Sequence, residues 1–394
     1  MHASLPFPPD DALRHSQQLT QLLTQEITAQ GGAIPFSRFM ELVLYAPGWG
    51  YYSAGSSKIG AAGDFTTAPE MGSLFAATVA RAIAPVIGQI GAHAQVMELG
   101  GGTGSFAVEA LRALAALDAL PARYAILEPS ADLRQRQAQR VAAQLPAEVA
   151  ALVEWIDGPI NEDWDGIVFA NEVIDALPTP RFVIADGLVW EETVRVGADG
   201  RFIADKAPAD VLLERAVRHI ERDLGQELPE GFRSEALMQL PYWVQAVAGG
   251  LKRGAMLFVD YGYVRREYYL DDRDQGTIRA FYRHQVHNDV FAWPGLQDIT
   301  ASVDFTAMAE AGTGAGFELA GYTNQASFLL GNGIDQVLGA AESRTDEVGQ
   351  VALREQLKRL TLPSEMGERF GVIGFQRDVD FEPAFALGDL TWRL

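Results

Sequence analysis

The chain has 394 residues, enough for one large domain with insertions or for two domains. It is 48% hydrophobic and 21% charged, an ordinary balance for a globular protein with a full core, and it has no cysteine. That excludes thiol nucleophiles, Cys-ligated zinc, iron–sulfur clusters and disulfides, while a net charge of −21 with four lysines and no Lys/Arg cluster disfavours nucleic acid and suits either simple solubility or a cationic protein segment.

In chain order, MHASLPFPPDDALRHS has no apolar h-region and is not Arg-rich, so it reads as neither a secretory signal nor a transit peptide. No run of about 18 uncharged apolar residues occurs, so no membrane span is expected, and the expected location is cytoplasmic. Residues 10–30 predict a helix, with Leu13, Leu22, Leu23 and Ile27 roughly on one face, and 35–44 predict a second that stops before Pro47-Gly48. Residues 45–72, YAPGWGYYSAGSSKIGAAGDFTTAPEMG, lack periodicity; a loop this long is usually functional or disordered, and its aromatics argue against disorder. An apolar helix is expected over 73–90.

From residue 95 strand and helix patterns alternate. Strands are expected at Val96–Leu99, Tyr124–Leu127, Val153–Ile156, Gly166–Ala170 and Met256–Val259, with helices near 104–117, 130–143 and 234–252. Such alternation predicts an α/β fold with a parallel sheet. Residues 182–204 alternate apolar and polar around Asp186-Gly187 and Asp199-Gly200, the signature of an antiparallel hairpin insertion, with a helix at 208–224. A loop-rich region spans 261–303; a helix at 304–314, a strand at 317–322, helices at 324–331 and 350–360 and a strand at 370–376 follow. The expected organisation is an N-terminal helical segment with its loop over 1–90 and a core over 91–394, with insertions at about 182–232 and 262–303.

The most informative segment is VMELGGGTGSFAVEAL, 96–111, where a strand ends in Gly100, Gly101, Gly102 and Gly104 and a helix begins. Glycines let backbone approach a ligand, and the helix N-terminus offers free N–H groups, so a nucleotide-like molecule is expected there. Glu98 lies two residues before Gly100. A carboxylate there can meet the cationic amino-acid part of S-adenosylmethionine through backbone or water, and it would be unfavourable beside a pyrophosphate. Glu128 ends the next strand and can accept both ribose hydroxyls; NAD enzymes use the same position, so it does not separate the two cofactors. Asp157 follows the third strand, where it can accept from an adenine amino group or simply form the turn before Gly158-Pro159.

The fourth strand ends in FANEVIDALP, with Asn171, Glu172 and Asp175 at the carboxyl edge of the sheet. A helical turn would put Glu172 and Asp175 on one face, where two carboxylates can hold a guanidinium; the alternative is a helix start with Asn171 as cap. Gly63, Asp64, Thr66 and Thr67, in GDFTTAPEMG, are candidates for the cofactor side, the threonines for a carboxylate. Asp260 ends the fifth strand. His284 and His287 are three apart, but no third ligand completes a set, and no metal is expected. No GxSxG elbow is present, which weakens a serine hydrolase reading.

FMELVLYAPGWGYY, GDFTTAPEMGSLF, ELGGGTGSF, ANEVIDALP, VDYGY and YRHQVH…PGLQDITASVDF stand in the order seen in the MidA family of S-adenosylmethionine-dependent methyltransferases, which the chain resembles from about residue 30 to 380. The resemblance implies a class I (Rossmann-like) fold, a seven-stranded sheet with a helical addition. In the mitochondrial members, which are complex I assembly factors, it implies symmetric dimethylation of an arginine in a complex I subunit. Carried over, Gly100, Gly102 and Gly104 match the cofactor loop, Glu128 the ribose acid, and Asn171, Glu172 and Asp175 the motif after strand four. Many members read GPGRG where this chain has Gly101 and Thr103, and many have His where Ser302 stands.

The expected function is thus transfer of a methyl group from S-adenosyl-L-methionine to an arginine of a protein partner. Asn171, Glu172 and Asp175 are the catalytic candidates; Gly63, Asp64, Thr67, Glu98, Gly100, Gly102, Gly104, Glu128 and Asp157 are the cofactor candidates. Two rivals remain at this point: an NAD(P)-dependent oxidoreductase, and a non-catalytic assembly factor that keeps the fold.

Overall fold

Seven strands build one sheet: Gln95–Leu99 (β1), Arg123–Leu127 (β2), Val153–Ile156 (β3), Trp164–Asn171 (β4), Leu251–Tyr263 (β5), Glu318–Asn324 (β6) and Phe370–Arg377 (β7), with helices between all successive strands but β3 and β4. Their order is β6-β7-β5-β4-β1-β2-β3, and a two-residue strand, Val303–Asp304, also pairs with β5. β3, β2, β1, β4 and β5 run parallel. β7 is antiparallel to both β5 and β6. The sheet is therefore mostly parallel, as the alternation predicts. β1 lies between β2 and β4, so the winding direction reverses there, and the carboxyl ends of β1 and β4 form the switch point where open α/β sheets bind ligands.

The computed structural model describes residues 5–53 and 67–394. Contacts divide the chain into two units. The sheet belongs to the unit formed by Thr66–Val173, Leu240–Gly262 and Val303–Leu394; the other is formed by Met1–Phe65, Ile174–Gln239 and Tyr263–Ser302. The expected boundary at residue 90 differs from this division. Helix Ser73–Ile90 (α1) goes with the sheet because Leu74, Phe75, Val79, Ile83 and Val86 are buried in the same core as Val96, Ile167 and Leu257. α1 is long and apolar enough to cross a bilayer, but 61% of it is buried inside the protein, and its Arg81 bonds to Asn332 and Gln336. It is a core helix.

Helices Ser105–Ala116 (α2) and Ala131–Gln144 (α3) follow β1 and β2; α1 packs on α2, and α2 on α3. The expected strand Met256–Val259 is the middle of a longer one, since β5 is paired on both sides by β4 and β7. The helix expected over 234–252 shrinks to Leu240–Ala248. Arg233–Glu235 is instead drawn into strand pairing, and the Gly250 carbonyl accepts the Trp164 N–H.

The second unit holds an antiparallel sheet of Ala33–Pro35, Leu188–Val196, Arg181–Ala185 and Arg233–Glu235, with Phe202–Pro208 also on Leu188–Val196. The Asp186-Gly187 turn has φ of 54° and 69°, both left-handed, as a two-residue hairpin demands. Helix Val211–Leu224 covers the hairpin with Leu213, Val217 and Ile220. The loop-rich region contains a small antiparallel sheet of Gln285–His287, Arg279–Tyr282 and Asp298–Thr300.

Candidate functional site

Three glycines shape the turn between β1 and α2. Gly100, Gly102 and Gly104 have φ of 64°, 52° and 82°, conformations that cost an L side chain energy. A Cβ on Gly100 would lie 2.9 Å from Val173 Cγ2, and one on Gly101 2.8 Å from Ile126 Cγ2. A Cβ on Gly102 would meet nothing within 4 Å, so at this position the backbone borders open space. Gly104 N–H closes the turn on the Gly101 carbonyl at 2.8 Å.

Both acids expected on the cofactor side, Glu98 and Glu128, are buried. Glu98 Oε2 accepts from Tyr124 Oη at 2.8 Å. Burial pushes the Glu98 carboxyl up to about 8; the Tyr124 hydroxyl pulls it back in part and the neighbouring Glu128 adds to the rise. Glu128 is also raised, chiefly by burial, against the opposing pull of Ser130 N–H, Gln137 and Arg134. Its Oε1 accepts Ser130 N–H at 2.9 Å and its Oε2 the Gln137 amide at 3.2 Å. Each carboxylate oxygen has two acceptor sites, so capacity for a diol remains. Asp157 has a side chain 95% exposed, paired with Arg134 at 2.8 Å; the same Arg134 donates to the Glu128 and Ile156 carbonyls and so ties the ends of β2 and β3.

The reading of Asn171 to Asp175 as a helical turn is corrected. Glu172 has φ of 53°, its N–H prolongs the ladder to the Val259 carbonyl at 2.9 Å, and only a tight turn over Ile174–Leu177 follows before Pro178. Left-handed backbone and a nearby proline both oppose a helix here. Asn171 Nδ2 donates to Glu172 Oε1 at 3.0 Å, while Asn171 Oδ1 is buried with no hydrogen-bond partner among the described residues.

Asp175 belongs to the second unit and is buried there. Its backbone carbonyl accepts Ala301 N–H at 2.9 Å. Around it stand groups that sequence reasoning did not single out: Tyr45 Oη donates to the Ala176 carbonyl at 2.9 Å, and Tyr52 Oη donates to both oxygens of buried Asp298 at 3.0 Å. Tyr52 is held well above the ordinary phenol range by burial and by Asp298, Tyr45 and Asp175. Two motifs, the aromatic-rich GWGYY and the polar PGLQDIT, are the signal that carries Tyr52 and Asp298.

Gly63, Asp64 and Thr66 lie outside the described residues. Thr67 precedes the short 3-10 helix Ala68–Met71, whose Glu70 accepts from the Thr103 hydroxyl of the glycine turn. Asp260 is buried at the carboxyl end of β5. His284 sits in the turn between Arg279–Tyr282 and Gln285–His287; burial lowers His287, with Asp289 opposing.

The open face of Gly102, the orphaned Asn171 Oδ1 and the residual capacity of Glu128 suit a ligand with a ribose and a zwitterionic tail, so these residues fit S-adenosylmethionine. Comparisons with known proteins point the same way. The chain is similar to a protein from Burkholderia thailandensis whose crystal structure holds S-adenosyl-homocysteine: 42% identity, TM-score 0.91, covering 99% of this chain and 100% of that one. It is 29% identical over 385 residues to the Mus musculus protein arginine methyltransferase NDUFAF7, mitochondrial, covering 86% of this chain and 80% of the relative. The Homo sapiens protein of that name is 29% identical over 373 residues, with 86% and 79% covered. The expected cytoplasmic location is corrected: these relatives are mitochondrial, and a missing leader signature at residues 1–16 is no positive address. Residues 78–323 match the family model described as "Putative S-adenosyl-L-methionine-dependent methyltransferase". The chain belongs to that family, the MidA-like methyltransferases, and its cofactor is S-adenosyl-L-methionine rather than a dinucleotide.

Proposed function

We propose that this methyltransferase acts on an arginine side chain of a protein partner. The observation that carries the reading is the strained Glu172, at the carboxyl end of the strand next to the glycine turn, with Asn171 steering its carboxylate. The names of the mouse and human relatives support arginine as acceptor. The family resemblance supports a respiratory complex I subunit as the protein that carries it.

S-adenosylmethionine supplies an electrophilic methyl group on a sulfonium. Gly100, Gly102 and Gly104 would cradle the cofactor's amino-acid part, with Glu98 behind the turn and Glu128 on the ribose. Thr67 would close the same side, and Asp157 would reach the adenine rim. Arginine stays protonated in proteins. Glu172 would therefore bind the guanidinium, localise its charge away from the reacting nitrogen and receive the proton that nitrogen sheds; Asp175 would be the second acid.

The test adds the purified protein and labelled S-adenosylmethionine to a lysate of the host lacking this protein and sequences the labelled band by mass spectrometry. Methylarginine is expected, and Glu172→Gln should lower the rate by about 100-fold or more, the usual weight of a positioned acid–base group. Label confined to another residue type would overturn the acceptor. Full activity in a Glu172→Gln, Asp175→Asn double variant would overturn the roles of the acids.

A further inference from the structure

Gln137, on α3, is fully buried in a stripe with Leu133 and Val141, where the helical period calls for an apolar side chain. Its amide is engaged at both ends. Nε2 donates to the Gly102 carbonyl at 2.8 Å and to Glu128 Oε2 at 3.2 Å, while Oε1 accepts the Trp155 indole N–H at 2.8 Å. An amide nitrogen has two protons, and an indole only donates. The orientation is thus fixed by its partners: a flipped amide would set an N–H against the indole N–H and an oxygen against a carbonyl and a carboxylate.

The glycines of the turn divide accordingly. A Cβ on Gly104 would lie 3.2 Å from Gln137 Cα, and one on Gly101 3.2 Å from Gln137 Nε2. Gln137 thus crowds both positions, together with Ile126 at Gly101 and the left-handed backbone at Gly104, whereas Gly102, with open space beside it, is left for the ligand.

We infer that Gln137 is a positioning residue for cofactor binding, a single amide that locks the Gly102 carbonyl to the Glu128 carboxylate so that the cradle and the acid reach the cofactor preassembled. The inference rests on the placement of the cofactor at Gly102 and Glu128 made above. Without the amide, Gly102 and Glu128 stay in place only through their own loops, and part of the binding free energy goes into ordering them.

The test is calorimetric titration of the full chain with S-adenosyl-homocysteine, which needs no methyl acceptor and so stands apart from the arginine reading. Gln137→Met keeps the volume and removes the amide. It should weaken binding by about tenfold or more, one lost buried hydrogen bond's worth, and raise KM for S-adenosylmethionine while kcat changes less than about threefold, as for lost ground-state positioning. Gln137→Met that is folded by its thermal transition and binds as the parent does overturns the inference. If it fails to fold, Trp155→Phe decides: this frees Oε1 alone and should weaken binding by about threefold, and an unchanged Kd overturns the inference. Gly102→Val separates the two claims. If it abolishes binding while the Gln137 and Trp155 variants do not, only the role of Gln137 fails; if it too leaves binding unchanged, the placement of the cofactor fails.

Discussion

At the scale of single residues, Glu98 makes a prediction with a definite sign. Its carboxyl is raised from 4.5 to about 8 by burial, so between those values the folded state holds a proton that the unfolded state has lost. The stability it contributes is complete below the unfolded value and is lost as pH rises through about 8. Thermal transitions of the parent should therefore fall as pH climbs from about 5 to about 8, by an amount of the order of a few kcal/mol at most. Glu98→Gln should flatten that slope, since the amide still accepts from Tyr124 without titrating. A parent that gains stability over this range, or a variant with the parent's slope, would show that Glu98 is ionised in the fold. The glycine turn and both buried acids are legible in the sequence because residue type and spacing carry them. Gln137 is not: it reads as one more polar residue in QRQAQR, and only the packing of α3 shows that it faces inward.

At the scale of elements, the centre of the sheet was readable and its ends were not. Apolar runs mark β1, β2 and β3 to within a residue: β1 and β2 have buried centres, and β3, at the edge of the sheet and only partly buried, still carries Val153, Trp155 and Ile156. β5 runs thirteen residues where four were expected, since pairing on both sides extends a strand past its hydrophobic stretch. The same contrast explains the missing helix after β4: spacing allowed it, but the left-handed Glu172 and Pro178 did not. β4 and β5 also hold a pair of facing glycines, Gly166 and Gly254, with φ of 157° and 149°. A Cβ on Gly254 would run into the Gly166 carbonyl, and one on Gly166 into that of Gln95 on β1. Gly254→Ala should thus cost on the order of 3 kcal/mol, read as a lower urea midpoint with unchanged slope. Gly88→Ala, in α1 with nothing within 4 Å of the added carbon, should instead stabilise by ~0.5–1 kcal/mol. A Gly254→Ala variant as stable as the parent would mean that the strands can part without loss.

At the scale of the whole molecule, the chain builds two compact units from interleaved segments, so periodicity and turn signals suggested insertions without giving their grouping. The sheet unit carries the residues proposed for the donor side: the glycine turn, Glu98, Glu128 and Gln137. The acceptor is the part on which the global charge bears. At −21, the chain presents a field that attracts a cationic segment and is screened by salt over about 10 Å at 0.1 M. S-adenosyl-homocysteine, a zwitterion with no net charge, should feel little of it. Raising salt from about 0.05 to about 0.5 M should therefore raise KM for an arginine-rich acceptor several-fold and leave the Kd for S-adenosyl-homocysteine nearly constant. A KM indifferent to salt would mean that the acceptor is recognised by apolar contacts, with the acidic surface serving solubility alone. Equal weakening of both would mean that salt acts on the fold, which the thermal transition at each ionic strength would reveal. Only the divergent result ties the composition of the chain to its choice of partner, because it separates long-range attraction of the acceptor from short-range binding of the donor.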